Sequence, residues 1–259
     1  MSFKGSTKNK IKNLLLSAVR DKLANYKPET SHMPFHYRLL GKDRFAIFSF
    51  IHSMNTTFGM SVWEQVAAIL SQASGDKAQH QYDLEGTIDT KTEKLIRNTH
   101  YNLRKGIGVV NMEKEAEFIK NQIKIERAGH DPDSRVDLFI SSKKEENYFD
   151  IISAKPNIKE FATLKLKLLR WIGLRYSQGN KQIKVYTRLA IPYNPYHPEP
   201  YDRWTLRGLY DLKNGEILVG EEFWNFVAKD NIYQELLDIF EEAGKELRKE
   251  IDRRFSLFK

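Results

Sequence analysis

Residues 135–153 read RVDLFISSKKEENYFDIIS. Two β-rich runs, 135–141 and 147–153, flank the charged, turn-prone segment Ser142-Lys143-Lys144-Glu145-Glu146, and Pro156-Asn157 ends the second run. The pattern predicts a β-hairpin. A turn centred on Ser142 to Glu145 sets Asp137 opposite Asp150, and directly opposed residues share a face with Cα atoms about 4.5–5.5 Å apart. Like charges placed there repel, so a sheet built for stability alone tends to avoid them. A divalent cation between them reverses the sign, because a hard ion such as Mg²⁺ takes one or two carboxylates together with water and phosphate oxygens. Spacing alone also admits two ordinary strand-edge charges that face solvent.

Working outward, residues 158–176 place Phe161, Leu164, Leu168 and Ile172 at helical spacing, and 182–191 (QIKVYTRLAI) are again β-rich. A β-β-α-β order after a helix implies an α/β core with one hairpin and one crossover, a mixed sheet flanked by helices. Upstream, helices are predicted at 7–26, 42–54, 61–74, 90–104 and 112–127, with a short strand at 82–88. The turn-like Asn55-Thr56-Thr57-Phe58-Gly59 separates the second helix from the third. Downstream lie an aromatic, proline-rich stretch, 192–204 (PYNPYHPEPYDRW), and helices near 221–228 and 231–255. No repeat or long linker divides the chain. It reads as a single domain over 1–259, with a helical N-terminal part (1–110), an α-β-β-α-β core (111–195) and a helical C-terminal part (196–259).

Composition narrows the partners. The 259 residues carry a formal charge of +8 and a pI near 9.3, which attracts polyanions, nucleic acid among them. There is no cysteine, so disulfides and thiolate metal sites are excluded, which suits a reducing cytoplasm. No apolar run reaches the roughly 18 residues of a membrane span, and Met1 to Lys10 has no secretory character.

Several segments carry a likeness to known proteins. Asp131-Pro132-Asp133 through Asp137, followed by Asp150 to Lys155, resembles the PD-(D/E)XK nuclease signature. Pro34-Phe35-His36-Tyr37-Arg38-Leu39-Leu40, Ala154-Lys155-Pro156-Asn157 and Ile191-Pro192-Tyr193-Asn194-Pro195-Tyr196, running on to Tyr201 and Trp204, resemble the TdeIII family of type II restriction endonucleases, and Glu222-Phe223-Trp224 fits as well. The resemblance implies a restriction-endonuclease-like core and Mg²⁺-dependent hydrolysis of double-stranded DNA. It also implies a short GC-rich palindrome of the GGNCC kind, a homodimer matched to that palindrome, and metal-binding roles for Asp137 and Asp150.

The likeness breaks at one position. The residue two after the second acid should be lysine, on the same strand face, and here it is Ile152. Lys155 is near, but a regular strand turns it to the opposite face; a bulge or strand end at Ala154 and Pro156 would bring it back. Either Lys155 has taken over the role, or the chain binds its DNA site with an impaired catalytic centre. Glu64 is a further catalytic candidate, because nucleases of this superfamily often carry a helix glutamate near the metal. The competing reading of Ser61-Val62-Trp63-Glu64 is a capping box.

DNA contacts are expected from the helix 158–176, whose Lys159, Lys165, Lys167, Arg170 and Arg175 include residues able to reach phosphates. Base reading needs bidentate groups, and Arg188, Asn194, Arg203 and Arg207 are the candidates.

Overall fold

The computed structural model describes residues 5–27, 33–125, 131, 133–152, 155–201, 206 and 208–256. Arg135–Ser141 (β2) and Glu145–Ile151 (β3) form the anticipated antiparallel hairpin, with Leu138 opposite Phe149 and Ser141 opposite Glu146. Ile158–Ser177 (α7) then crosses over and returns the chain to Lys184–Ile191 (β4), parallel to β3. Two further strands, Lys77–Asp83 (β1) and Ile217–Val219 (β5), complete a five-stranded sheet in the order β1-β2-β3-β4-β5. β1 pairs antiparallel with β2, and β5 pairs parallel with β4. The strand anticipated at 82–88 therefore lies earlier, and β5 is an addition that so short a run did not signal.

Helices cover both faces, as a central strand buried on each side requires. One layer holds Thr90–Arg104 (α5), Met112–Gln122 (α6) and α7, which pack Ile96, Ile119, Leu168 and Trp171 against Val136, Tyr148 and Leu189 of the sheet. The other holds Gly5–Asn25 (α1), Trp63–Ala73 (α4), Glu221–Ala228 (α8) and Tyr233–Ser256 (α9). These bury Leu15, Val66, Trp224 and Ile239 against Leu138, Phe149 and Ile151. Pro34–Leu40 (α2) and Lys42–Thr57 (α3) stand at the periphery, where α3 joins α1 and α9 through Tyr26, Phe50 and Phe255.

The predicted break at 55–59 is absent. Helical backbone runs on through a π-type turn, Phe58–Val62, into α4. Phe58 stacks on Trp63 with ring centroids 4.9 Å apart and lies against Phe240, so its burial outweighs the turn propensity of Asn55 and Gly59. With no helix start at Ser61 the capping box has no amide to cap: the Ser61 hydroxyl donates to the Thr57 carbonyl instead.

One glycine places the α5–α6 layer. Gly86, at φ +135°, passes so close to α7 that a Cβ would sit 2.3 Å from the Leu174 carbonyl oxygen. Hydrogen bonds from the Thr87 amide to Ser177 Oγ and from Gln178 Nε2 to the Glu85 carbonyl fasten the crossing.

Candidate active site

β2 and β3 are antiparallel, so the start of one and the end of the other share a sheet edge. Continuing the register of the hairpin sets Asp137 against Asp150. Both side chains lie on the α7 face, and their carboxyl groups hydrogen-bond to each other. Asp137 Oδ2 also accepts from the Ile151 amide at 2.7 Å. Asp150 is buried. Burial, reinforced by the Asp150 charge, pushes the Asp137 carboxyl up to about 8, although the Ile151 amide and Lys167 pull the other way. At neutral pH Asp137 therefore carries the proton that lets two acids share one small space.

α7 presents the facing side chains. Asn157 starts the helix with a capping box, accepting from the Glu160 amide while Glu160 accepts from the Asn157 amide. From that start, Lys167, Arg170 and Trp171 fall on one stripe over the acids and the segment before β2. Lys167 Nζ reaches Asp150 Oδ2 at 3.0 Å and lies 4.9 Å from the centroid of the Trp171 ring. Arg170 binds Glu93 and Asp131, with Asp133 at 3.7 Å, and Trp171 Nε1 donates to the Asp133 carbonyl. Asp131 and Asp133 thus hold the approach to β2 rather than joining the acid pair; Pro132 lies outside the described residues.

Ile152 stands two residues beyond Asp150 and packs into the core on this same face. Lys155 is exposed, its ammonium 5.0 Å from the centroid of the Tyr196 ring. Glu64 is buried in α4, where Oε1 accepts from Gln81 Nε2 at 3.2 Å and Oε2 has no hydrogen-bond partner. Gln81 in turn accepts from Arg135, which pairs with Asp83. Desolvation pushes the Glu64 carboxyl up, but it does not join Asp137 and Asp150. Among the described residues no group of three or more acidic or histidine side chains is arranged to hold a metal ion.

Three residues considered for DNA contact lie inside the protein, among them Arg175, which is paired with Glu146. Lys165 is fully buried between Glu115 and Glu216, and burial cannot be reconciled with reaching a phosphate. Arg188 is buried as well: it donates to Asn147 Oδ1 and to the Asn214 and Gly215 carbonyls, and stacks against Tyr186 and Phe226, which commits its guanidinium to holding β4 and β5. Asn194 spends its amide on its own loop, accepting from the Tyr196 amide and donating to the Glu199 carbonyl. Lys159 is exposed near the start of α7. Arg203, Arg207 and Trp204 lie outside the described residues. Lys167 is the α7 cation that meets the acid pair, which the sequence pattern does not single out; only its place on the α7 stripe marks it.

Two carboxylates converging at a strand edge, one of them needing a proton to tolerate the other, form a donor set that fits an oxygen-seeking divalent cation, with water and phosphate completing its shell.

Comparison with known proteins bears on this geometry. Residues 4–244 match the model of a family described as type II restriction endonuclease, HinfI. The chain is 24% identical over 281 aligned positions to the type II restriction enzyme HgiCII of Herpetosiphon aurantiacus, covering 98% of this chain and 99% of that protein. It is 26% identical to the type II restriction enzyme MjaII of Methanocaldococcus jannaschii, over 92% of this chain and 71% of that protein, and 24% identical to HgiEI of Herpetosiphon aurantiacus, over 94% and 95%. No solved structure matches significantly. The matching family is HinfI, where the sequence motifs point to TdeIII; both are type II restriction endonucleases.

Proposed function

The chain belongs to the HinfI family of type II restriction endonucleases, site-specific deoxyribonucleases, and on that footing we propose that it hydrolyses double-stranded DNA with Mg²⁺ held by Asp137 and Asp150. The observation that carries this reading is the acid pair itself, set on one face of a hairpin. When bound, the cation would withdraw charge from the scissile phosphate and lower the pKa of a coordinated water. The protein's part is to aim both carboxylates at one point and to exclude bulk water with α7. Water adds across a P–O bond, its hydroxyl to phosphorus and its proton to the leaving oxygen. The arrangement supports placing the chain within the PD-(D/E)XK superfamily and reading all of 1–259 as one nuclease domain.

The described part of the aromatic–proline block, 192–201, follows β4 at the end of the sheet that bears the acids, because β4 runs parallel to β3. That position, with the TdeIII likeness, supports recognition of a short GC-rich palindrome of the GGNCC kind through the 192–207 segment. Lys155 and Lys159, exposed at the same edge, are placed for phosphate contacts, which give affinity and salt dependence rather than sequence choice. Among the described residues no helix is long and apolar enough to cross a membrane, and we read the enzyme as cytoplasmic, where the DNA it acts on is found.

The direct test is digestion of long phage DNA, which contains any short site many times over. Discrete fragments are expected with Mg²⁺ and none with Ca²⁺. A competing reading, binding without cleavage, rests on Ile152; retarded but uncut DNA under Mg²⁺ would establish it and end the catalytic one.

One chain carries one acid pair, and a duplex has two strands to break, so the reading includes a two-fold homodimer. Phe35 and Leu39 of α2, and Phe48 and Ile51 of α3, are exposed at helical spacing and offer the second copy an apolar surface. Light scattering should give about twice the 30.4 kDa of one chain, and Phe48→Glu should shift the protein toward monomer with cleavage of one strand at most. A protein that remains monomeric both free and on its DNA site refutes the dimer.

A further inference from the structure

We propose that Lys167, on helix α7, does at this site the work that the motif assigns to the strand position occupied by Ile152. The inference rests on the reading of Asp137 and Asp150 as the cation-binding pair, and it implies that the isoleucine marks a relocated lysine rather than a lost one.

Five observations lead to it. Ile152 is turned to the correct face but is absorbed in the core there, so the strand offers no charge. Lys155 lies beyond the end of β3, with its ammonium over Tyr196. The other inward cations of α7 are committed elsewhere: Lys165 to Glu115 and Glu216, Arg170 to Glu93 and Asp131, and Arg175 to Glu146. Lys167 alone among these α7 cations pairs with a member of the acid pair, at 3.0 Å. Its side chain also keeps 26% of its surface exposed, where Lys165 keeps none, so substrate can reach it.

The chemistry follows from the donor count. An ammonium has three N–H groups, and one of them fixes Asp150 Oδ2. Two remain to orient a water and to offset the charge of a phosphate oxygen held at the pair. The Trp171 ring beneath the ammonium restricts where it can go, through a cation–π contact. A lysine reaching down from the covering helix can thus deliver its charge to the point where a strand lysine would deliver it. Because those two donors would meet the water and the phosphate oxygen themselves, Lys167 acts as a catalytic residue that Asp150 holds in place.

The test uses the full-length protein, single-turnover cleavage of a DNA fragment that the wild type cuts in Mg²⁺, and gel retardation of that fragment in Ca²⁺. Lys167→Met is expected to slow cleavage by roughly 10²–10³-fold, the usual range for losing one positioned donor that stabilises developing charge, with affinity in Ca²⁺ changed by less than threefold. Lys167→Arg should retain part of the rate, and Ile152→Lys added to Lys167→Met should recover at least tenfold by returning the ammonium to the strand. Cleavage by Lys167→Met within threefold of wild type overturns the inference while leaving the nuclease reading intact. So does a loss that neither Lys167→Arg nor Ile152→Lys relieves, since that marks a merely structural role. A wild-type chain that binds DNA yet never cuts overturns both.

Discussion

Asp137→Asn should abolish cleavage and, with no divalent cation present, raise the melting temperature. The carboxyl and the carboxamide have nearly the same shape. The amide oxygen can still accept from the Ile151 amide, and the amide nitrogen can donate to Asp150, so the hydrogen bonds of the pair survive without a shared proton. What disappears is one of the two charges that would hold the cation, worth roughly 4 kcal/mol or more of transition-state stabilisation, or about 10³-fold in rate.

The stability effect has a definite sign. The folded protein holds the Asp137 proton up to about 8, while the unfolded chain releases it near the ordinary 3.8. Between those values the folded state binds more protons than the unfolded one, so the contribution of this group to stability falls as pH rises. The metal-free wild type should therefore lose melting temperature from about pH 4 towards pH 8, and Asp137→Asn should flatten that slope. Added Mg²⁺ should help the wild type most at the upper end, where the cation no longer competes with the proton. Calorimetry across this pH range in EDTA and in Mg²⁺ is the measurement. A variant that cuts within tenfold of wild type, or that melts lower than wild type at pH 8 in EDTA, would sink the account of the pair.

Lys165→Met is expected to unfold the protein far more readily without acting on DNA directly. Glu115 and Glu216 share the Lys165 ammonium in the interior, and Glu216 also accepts from the Asp211 amide. Burial works against the ammonium, but Glu216 and Glu115 outweigh it and hold its pKa above the ordinary value. For Glu216 burial dominates and pushes the carboxyl up despite Lys165. Removing the cation leaves two buried carboxylates with no counter-charge, a change that costs about 3–5 kcal/mol. For a chain of this size that corresponds to a fall of roughly 6–20 °C in Tm. Glu115→Gln in the same background should return part of the loss, because it removes one of the stranded charges. DNA affinity of the folded fraction should stay near wild type. Weakened, less salt-dependent DNA binding at unchanged Tm would instead put Lys165 at a phosphate, against its burial.

Much of the fold was legible in advance. The hairpin, α5, α7 and α8 fall within a residue or two of their expected bounds, because turn residues, caps and helical periodicity are local signals. Where the reading failed, a distant partner overrode a local preference. Phe58 finds Trp63 and Phe240 and carries the helix through a turn sequence, and three residues, Ile217–Val219, become a strand only because β4 offers an open edge.

The site divides in the same way. Local signals are enough to set Asp137 opposite Asp150 and Ile152 next on the same face, since a short turn fixes the register and a strand alternates its side chains with period two. They cannot sort the five cations of α7. Lys159, Lys165, Lys167, Arg170 and Arg175 differ little in type, and which one is exposed, buried or laid over the acids depends on how the helix is rotated about its own axis. That rotation is set by packing Phe161, Leu168, Trp171 and Ile172 against a sheet assembled from segments over a hundred residues apart, so it takes the assembled sheet to bring Lys167 to Asp150 and to seal Lys165 inside.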